Sequence, residues 1–171
     1  FMAVKHPISI ITGGPGRGKT YVLKTLVQWL TFLGAKISLA APTGKAANRM
    51  KNATGMDAST IHRLLQWQGL GNTFLYNEDN PLEIDWLIVD EFSMVDIFLF
   101  NSLLKALQPK TQILLVGDSD QLPSVGAGMV LRDLLHSDIV PTTRLQTIYR
   151  QQHESPIIYA ASDVNFGTVP T

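Results

Sequence analysis

Residues Gly13, Gly14, Pro15, Gly16, Arg17, Gly18, Lys19 and Thr20 fit the pattern G-x-x-x-x-G-K-[ST]. They stand where a short apolar run, 8–12, gives way to a helical pattern in which Val22, Leu23, Leu26, Val27, Leu30 and Leu33 recur. A strand that feeds a glycine loop and then a helix is half of a βαβ unit, so the rest of the chain must supply parallel partner strands. Glycines let consecutive backbone N–H groups turn inward around a phosphate, and the helix N-terminus adds a dipole that favours anions. In such a loop Lys19 reaches β- and γ-phosphates and the Thr20 hydroxyl is a ligand for Mg²⁺.

The remaining pattern supplies those partners. Apolar runs at 36–41, 84–90, 112–117 and 143–148 read as strands. Helical stretches fall between them at 45–53, at a short segment opening at Ser59 or Thr60, and at 95–107, with further ones at 128–135 and 156–161. Gly34 and Gly55 are placed to cap two of these helices at their C-terminal ends. The alternation predicts an α/β domain with a parallel sheet flanked by helices. The stretch 66–81, rich in Gly and Asn, reads as a turn-rich excursion or small hairpin.

Two further strand ends carry polar groups to the rim where such sheets bind ligands. The run Leu87, Ile88, Val89 ends in Asp90 and Glu91. Neighbours on a strand face opposite ways, so the two acids can divide the work. Asp90 would hold Mg²⁺ through a water, and Glu91 would orient and deprotonate an attacking water. The run ending at Gly117 continues Asp118, Ser119, Asp120, Gln121, Leu122, Pro123. Gln121 either touches the γ-phosphate or belongs to a turn closed by Asp118 and Pro123. Pro42 and Thr43 follow another strand, while Thr60 and His62 open a short helix; hydroxyls and helix N-termini bind phosphate backbones without reading sequence. Tyr149 and Arg150 follow the last strand, where the arginine either meets a γ-phosphate or faces solvent.

Composition narrows the classes. Lys+Arg and Asp+Glu number 14 each, so any nucleic-acid binding must be local rather than driven by bulk charge. The absence of cysteine excludes disulfide scaffolds and thiolate zinc sites. No apolar stretch is long enough for a bilayer and the start is unlike a signal peptide, so a soluble, cytoplasmic protein is expected. Trp29, Trp67 and Trp86 form no ladder for stacking bases and read as core or rim packing, with Trp67 in the turn-rich excursion the exception to watch.

In chain order the motifs resemble the first RecA-like motor domain of RecD-like DNA helicases, the exonuclease V alpha-subunit type of superfamily one. The resemblance rests on 11–16, on Ala41-Pro42-Thr43-Gly44-Lys45-Ala46-Ala47, on 60–65, on Val89-Asp90-Glu91-Phe92-Ser93-Met94-Val95-Asp96, on 117–126 and on 145–151. It implies a P-loop NTPase sheet in the order 5-1-4-3-2 and ATP-driven translocation on single-stranded DNA, five-prime to three-prime, with duplex unwinding as output. It implies nucleotide contacts from Gly14, Pro15, Gly16, Arg17, Gly18, Lys19 and Thr20, with Tyr149 stacked on the adenine. Metal would be held by Thr20 and Asp90. Glu91, Lys19, Gln121 and Arg150 would serve catalysis, and Pro42, Thr43, Thr60 and His62 would contact the DNA backbone. The excursion at 66–81 sits about where such helicases carry a strand-splitting pin.

Arg17 stands where the family usually has threonine, and Tyr21 replaces another common threonine; neither removes a phosphate ligand. The resemblance also implies a second RecA-like domain that this sequence lacks, so residues 1–171 are expected to be one half of a motor that binds ATP and does not unwind alone. A P-loop switch or loader that does not translocate, and a nucleotide-binding module without catalysis, are the competing readings.

Overall fold

The computed structural model describes residues 5–69 and 73–145. Six strands form one parallel sheet: β1 (Ile8–Thr12), β2 (Ile37–Ala41), β3 (Ala58–Thr60), β4 (Trp86–Val89), β5 (Gln112–Gly117) and β6 (Thr142–Arg144). Their order is β3-β2-β4-β5-β1-β6. The expected strands lie in the expected order, and β3 is an addition at the edge beyond β2. Three residues without apolar alternation gave no sign of it in the sequence. The last strand pairs with β1 through Thr142, Thr143 and Arg144; the rest of the predicted run to 148, and the predicted helix at 156–161, lie outside the described residues.

Helices cover both faces: α1 (Lys19–Phe32), α2 (Gly44–Thr54), the single turn α3 (Ile61–Leu64), α4 (Ile97–Lys105) and α5 (Val130–His136). Alternation along the strands divides the core. Ile11, Ile88, Leu114 and Val116 pack beneath Leu23, Leu26, Val27 and Leu30 of α1 and Met50 of α2. Ile10, Leu87, Val89, Ile113 and Leu115 face the other way, against Phe100 and Leu103 of α4 and Leu131 and Leu135 of α5. Strands buried on both faces explain the continuous apolar runs that marked them. Gly55 caps α2 with a positive φ of 78°, as its position predicted. Trp86 is buried, while Trp29 and Trp67 are partly exposed.

In the turn-rich excursion Trp67 and Phe74 form an isolated antiparallel bridge. The Gln68 N–H donates to the Thr73 carbonyl at 3.0 Å and the Leu75 N–H to the Gln66 carbonyl at 3.1 Å. No helix among the described residues is long and apolar enough to cross a membrane.

Candidate functional site: a phosphate loop facing an acid pair

The parallel register sets the site. Thr12, the last residue of β1, pairs with Gly117 of β5, and Val89 of β4 pairs with Leu115. The glycine loop, Asp90–Glu91 and Asp118 therefore leave neighbouring strands at one edge, the rim where doubly wound sheets bind ligands.

Gly16 and Gly18 take φ of 74° and 82°, the left-handed region that glycine enters without strain. Gly18 is the N-cap of α1, so the loop's N–H groups and the helix N-terminus converge. The Lys19 ammonium bends back over this loop, donating to the carbonyls of Gly13 and of Gly14, the latter at 3.1 Å. Thr20 lies exposed in the first turn of α1, Pro15 is exposed in the loop, and the Arg17 side chain packs alongside Gly14.

Asp90 is 7% exposed. Its Oδ1 accepts the Glu91 N–H at 2.9 Å, leaving Oδ2 toward the Arg49 guanidinium at 3.6 Å. Burial pushes the Asp90 carboxyl above the usual carboxylate range; the Glu91 N–H and the charges of Arg49 and Lys19 pull it down, while the Glu91 charge adds to the rise. Glu91 has a positive φ of 53°, an unusual backbone for a side chain of its size. Its Oε1 accepts a hydrogen bond from Arg49, and its Oε2 is buried with no partner among the described residues. The hydrogen bond to Glu91 raises the Arg49 pKa against the opposing effect of its own burial.

A nucleotide with its cation suits these residues. Glu91 Oε2 is buried without a partner among the described residues, and an orphaned buried polar atom is costly unless something satisfies it. The donors are oxygens, as Mg²⁺ requires. No cluster of three or more His, Asp or Glu able to hold a metal occurs among the described residues. A cation here would accordingly lean on Thr20, Asp90, phosphate oxygens and water.

Gln121 is exposed on the loop after β5. Asp118, which is buried, turns that loop: its Oδ1 accepts the Asp120 N–H at 3.1 Å and its carbonyl the Gln121 N–H at 3.3 Å. Farther along, the Ile97 N–H donates to the Ala127 carbonyl at 3.0 Å, tying the loop to the start of α4.

Pro42 follows β2, and Thr43 caps α2, its hydroxyl accepting the Ala46 N–H at 3.2 Å. Thr60 caps α3 in the same way through the Arg63 N–H at 3.2 Å. Ala41 pairs with Thr60 in the sheet, so the two caps stand side by side. His62 is exposed, its ring 5.9 Å from Trp67 and 5.8 Å from Phe74. Tyr149 and Arg150 lie outside the described residues. Arg49 is the residue that sequence reasoning missed; a lone arginine on the polar face of α2 looks like a solvated charge until the sheet order sets α2 beside the end of β4.

A glycine loop and an acid pair at one edge of a parallel sheet, with a single strand between theirs, define the P-loop class of α/β domain. Residues 1–127 match the family model described as an AAA domain. The ATP-dependent RecD2 DNA helicase of Deinococcus radiodurans is 45% identical over 165 residues, which is 96% of this chain and 22% of that protein. The RecBCD enzyme subunit RecD of Haemophilus influenzae is 41% identical, with 86% of this chain and 27% of that protein covered. Among solved structures, Bacteroides Pif1 bound to ssDNA has a TM-score of 0.66 at 25% identity, covering 97% of this chain and 44% of that one. The Pif1 helicase from Candida albicans, at 23% identity and a TM-score of 0.69, shares the fold. The chain belongs to the AAA domain family and, within it, to the RecD-like group of superfamily one. It spans about a quarter of the length of these curated relatives.

Proposed function

We propose that this chain is the ATP-binding motor domain of a RecD-like helicase, coupling ATP hydrolysis to five-prime to three-prime movement along single-stranded DNA and so to duplex unwinding. The observation that carries the reading is the meeting of the Lys19 loop with Asp90 and Glu91 at one sheet edge, with Glu91 Oε2 buried and unpartnered among the described residues. The loop from Gly14 to Thr20 binds the phosphates, and Lys19 exchanges its carbonyl partners for phosphate oxygens. Thr20 and Asp90 hold Mg²⁺, which when bound neutralises phosphate charge. Glu91 accepts a proton from the attacking water, and Gln121 reports the γ-phosphate to the DNA side. Arg150 adds positive charge there, and Tyr149 stacks on the base.

Pro42, Thr43, Thr60 and His62 form the DNA side. Two neighbouring helix N-termini offer N–H groups and hydroxyls to phosphates, and such contacts carry no sequence information. A second RecA-like domain in the longer protein completes the cleft, and this half binds nucleotide without unwinding.

The test is ATP turnover in the longer protein with and without single-stranded DNA. Hydrolysis stimulated by DNA, with stimulation falling as salt rises, is expected. Glu91→Gln should spare nucleotide binding and abolish turnover. Turnover indifferent to DNA at low salt would overturn the motor reading in favour of a switch or loader.

A further inference from the structure

One guanidinium nitrogen serves both acids of the site. Arg49 Nη2 is hydrogen-bonded to Glu91 Oε1 and stands 3.6 Å from Asp90 Oδ2. Asp90 Oδ2 is the carboxylate oxygen that the Glu91 N–H does not use, and hence the one open to a cation. Two adjacent carboxylates withdrawn from water repel each other and need a compensating charge. Lys19 contributes to that field at Asp90, but its ammonium is hydrogen-bonded to the loop carbonyls of Gly13 and Gly14. The charge bonded directly to the pair comes from Arg49.

The two sides of this contact differ in exposure. The acid side chains are 10% and 13% exposed, and the Arg49 side chain is 58% exposed on the outer surface of α2. The acids are fixed by the end of β4, whereas Arg49 can swing into solvent without opening the core, because the buried residues of α2 are Ala46, Ala47 and Met50.

We propose that Arg49 is a positioning residue that stands in for the divalent cation, bridging Asp90 and Glu91 while the site lacks metal and giving them up when metal and nucleotide enter. This rests on the nucleotide-binding reading above. Arg49 is then a brace for the empty site: it keeps the acid pair compensated and holds Glu91 by one oxygen, Oε1, until the cation has arrived.

The experiment is a titration of Mn²⁺ with ADP, followed by electron paramagnetic resonance, on wild type, Arg49→Gln, Arg49→Lys and Lys19→Ala, with thermal melts of each with and without Mn²⁺ and ADP. Losing a competing positive charge a few ångströms from the cation should tighten Mn²⁺ about tenfold in Arg49→Gln. Arg49→Lys, which keeps charge but loses the planar fork, should fall between. The melts should show Arg49→Gln less stable than wild type when empty, with the gap closing once Mn²⁺ and ADP are bound. If Arg49→Gln is too unstable to titrate empty, Arg49→Lys carries the same comparison. An equal loss of stability in both states with Mn²⁺ affinity unchanged or weaker would make Arg49 merely structural and overturn the proposal. Wild type indistinguishable from Lys19→Ala in binding Mn²⁺ with ADP would instead overturn the nucleotide reading on which it rests.

Discussion

A β-carbon added to Gly13 would lie 2.9 Å from the carbonyl oxygen of Leu145 and 3.0 Å from its Cβ. The Leu145 N–H in turn donates to the Thr12 carbonyl at 2.8 Å, so the strand carrying β6 is sewn to the root of the phosphate loop. Backbone cannot rotate away as a flexible side chain can. Gly13→Ala should therefore displace the end of β6 or the loop and cost about 1–3 kcal/mol. Urea unfolding checks this, and a midpoint equal to that of wild type would mean the two segments part more easily than their hydrogen bond implies.

Asp90 yields a pH prediction. Burial raises its carboxyl above the ordinary range in the folded protein. The folded state thus holds this proton more tightly than the unfolded chain, and the associated stability is present at low pH and lost as pH rises through the raised value. At neutral pH the ionised group is a net cost in the empty protein. Asp90→Asn should melt higher than wild type at pH 7, by roughly 2–5 °C, with the advantage shrinking as pH falls toward about 4, the ordinary aspartate value. Melting curves without nucleotide across that range decide it. A variant less stable at pH 7 would show that Arg49 and the Glu91 N–H outweigh the burial.

Thr43 serves the helix before it serves any ligand. Its hydroxyl closes the first turn of α2. Thr43→Ala should cost about 1 kcal/mol, and Thr43→Ser should restore most of it. If Thr43 also meets the DNA backbone, the alanine variant should weaken single-stranded DNA binding equally for all sequences. Fluorescence anisotropy with unrelated oligonucleotides measures that, and a loss confined to one sequence would contradict backbone contact.

What could be read from the sequence was local. Glycine spacing at 13–18, the apolar run ending in Asp90, and Gly55 after α2 each depend on neighbours in the chain, and each stands in the structure where the pattern put it. β3 escaped because three residues beside an edge carry no apolar alternation. Arg49 escaped for a different reason: its meaning comes from α2 packing beside the end of β4, a tertiary fact that no spacing encodes. For Asp118 and Gln121 the structure shows the turn, with Asp118 accepting the Asp120 and Gln121 N–H groups and Gln121 exposed on it.

The central claim is that the loop around Lys19 is a nucleotide site, and a fluorescent ADP titration of this chain in Mg²⁺, wild type against Lys19→Ala, tests it most directly. Lys19 donates to loop carbonyls and its charge favours the ionised Asp90, so melting curves of both proteins are recorded alongside to show that the variant is folded. Saturable binding in wild type that weakens at least tenfold in the variant is the result predicted. Equal affinity in two folded proteins, or no binding by wild type, would contradict it.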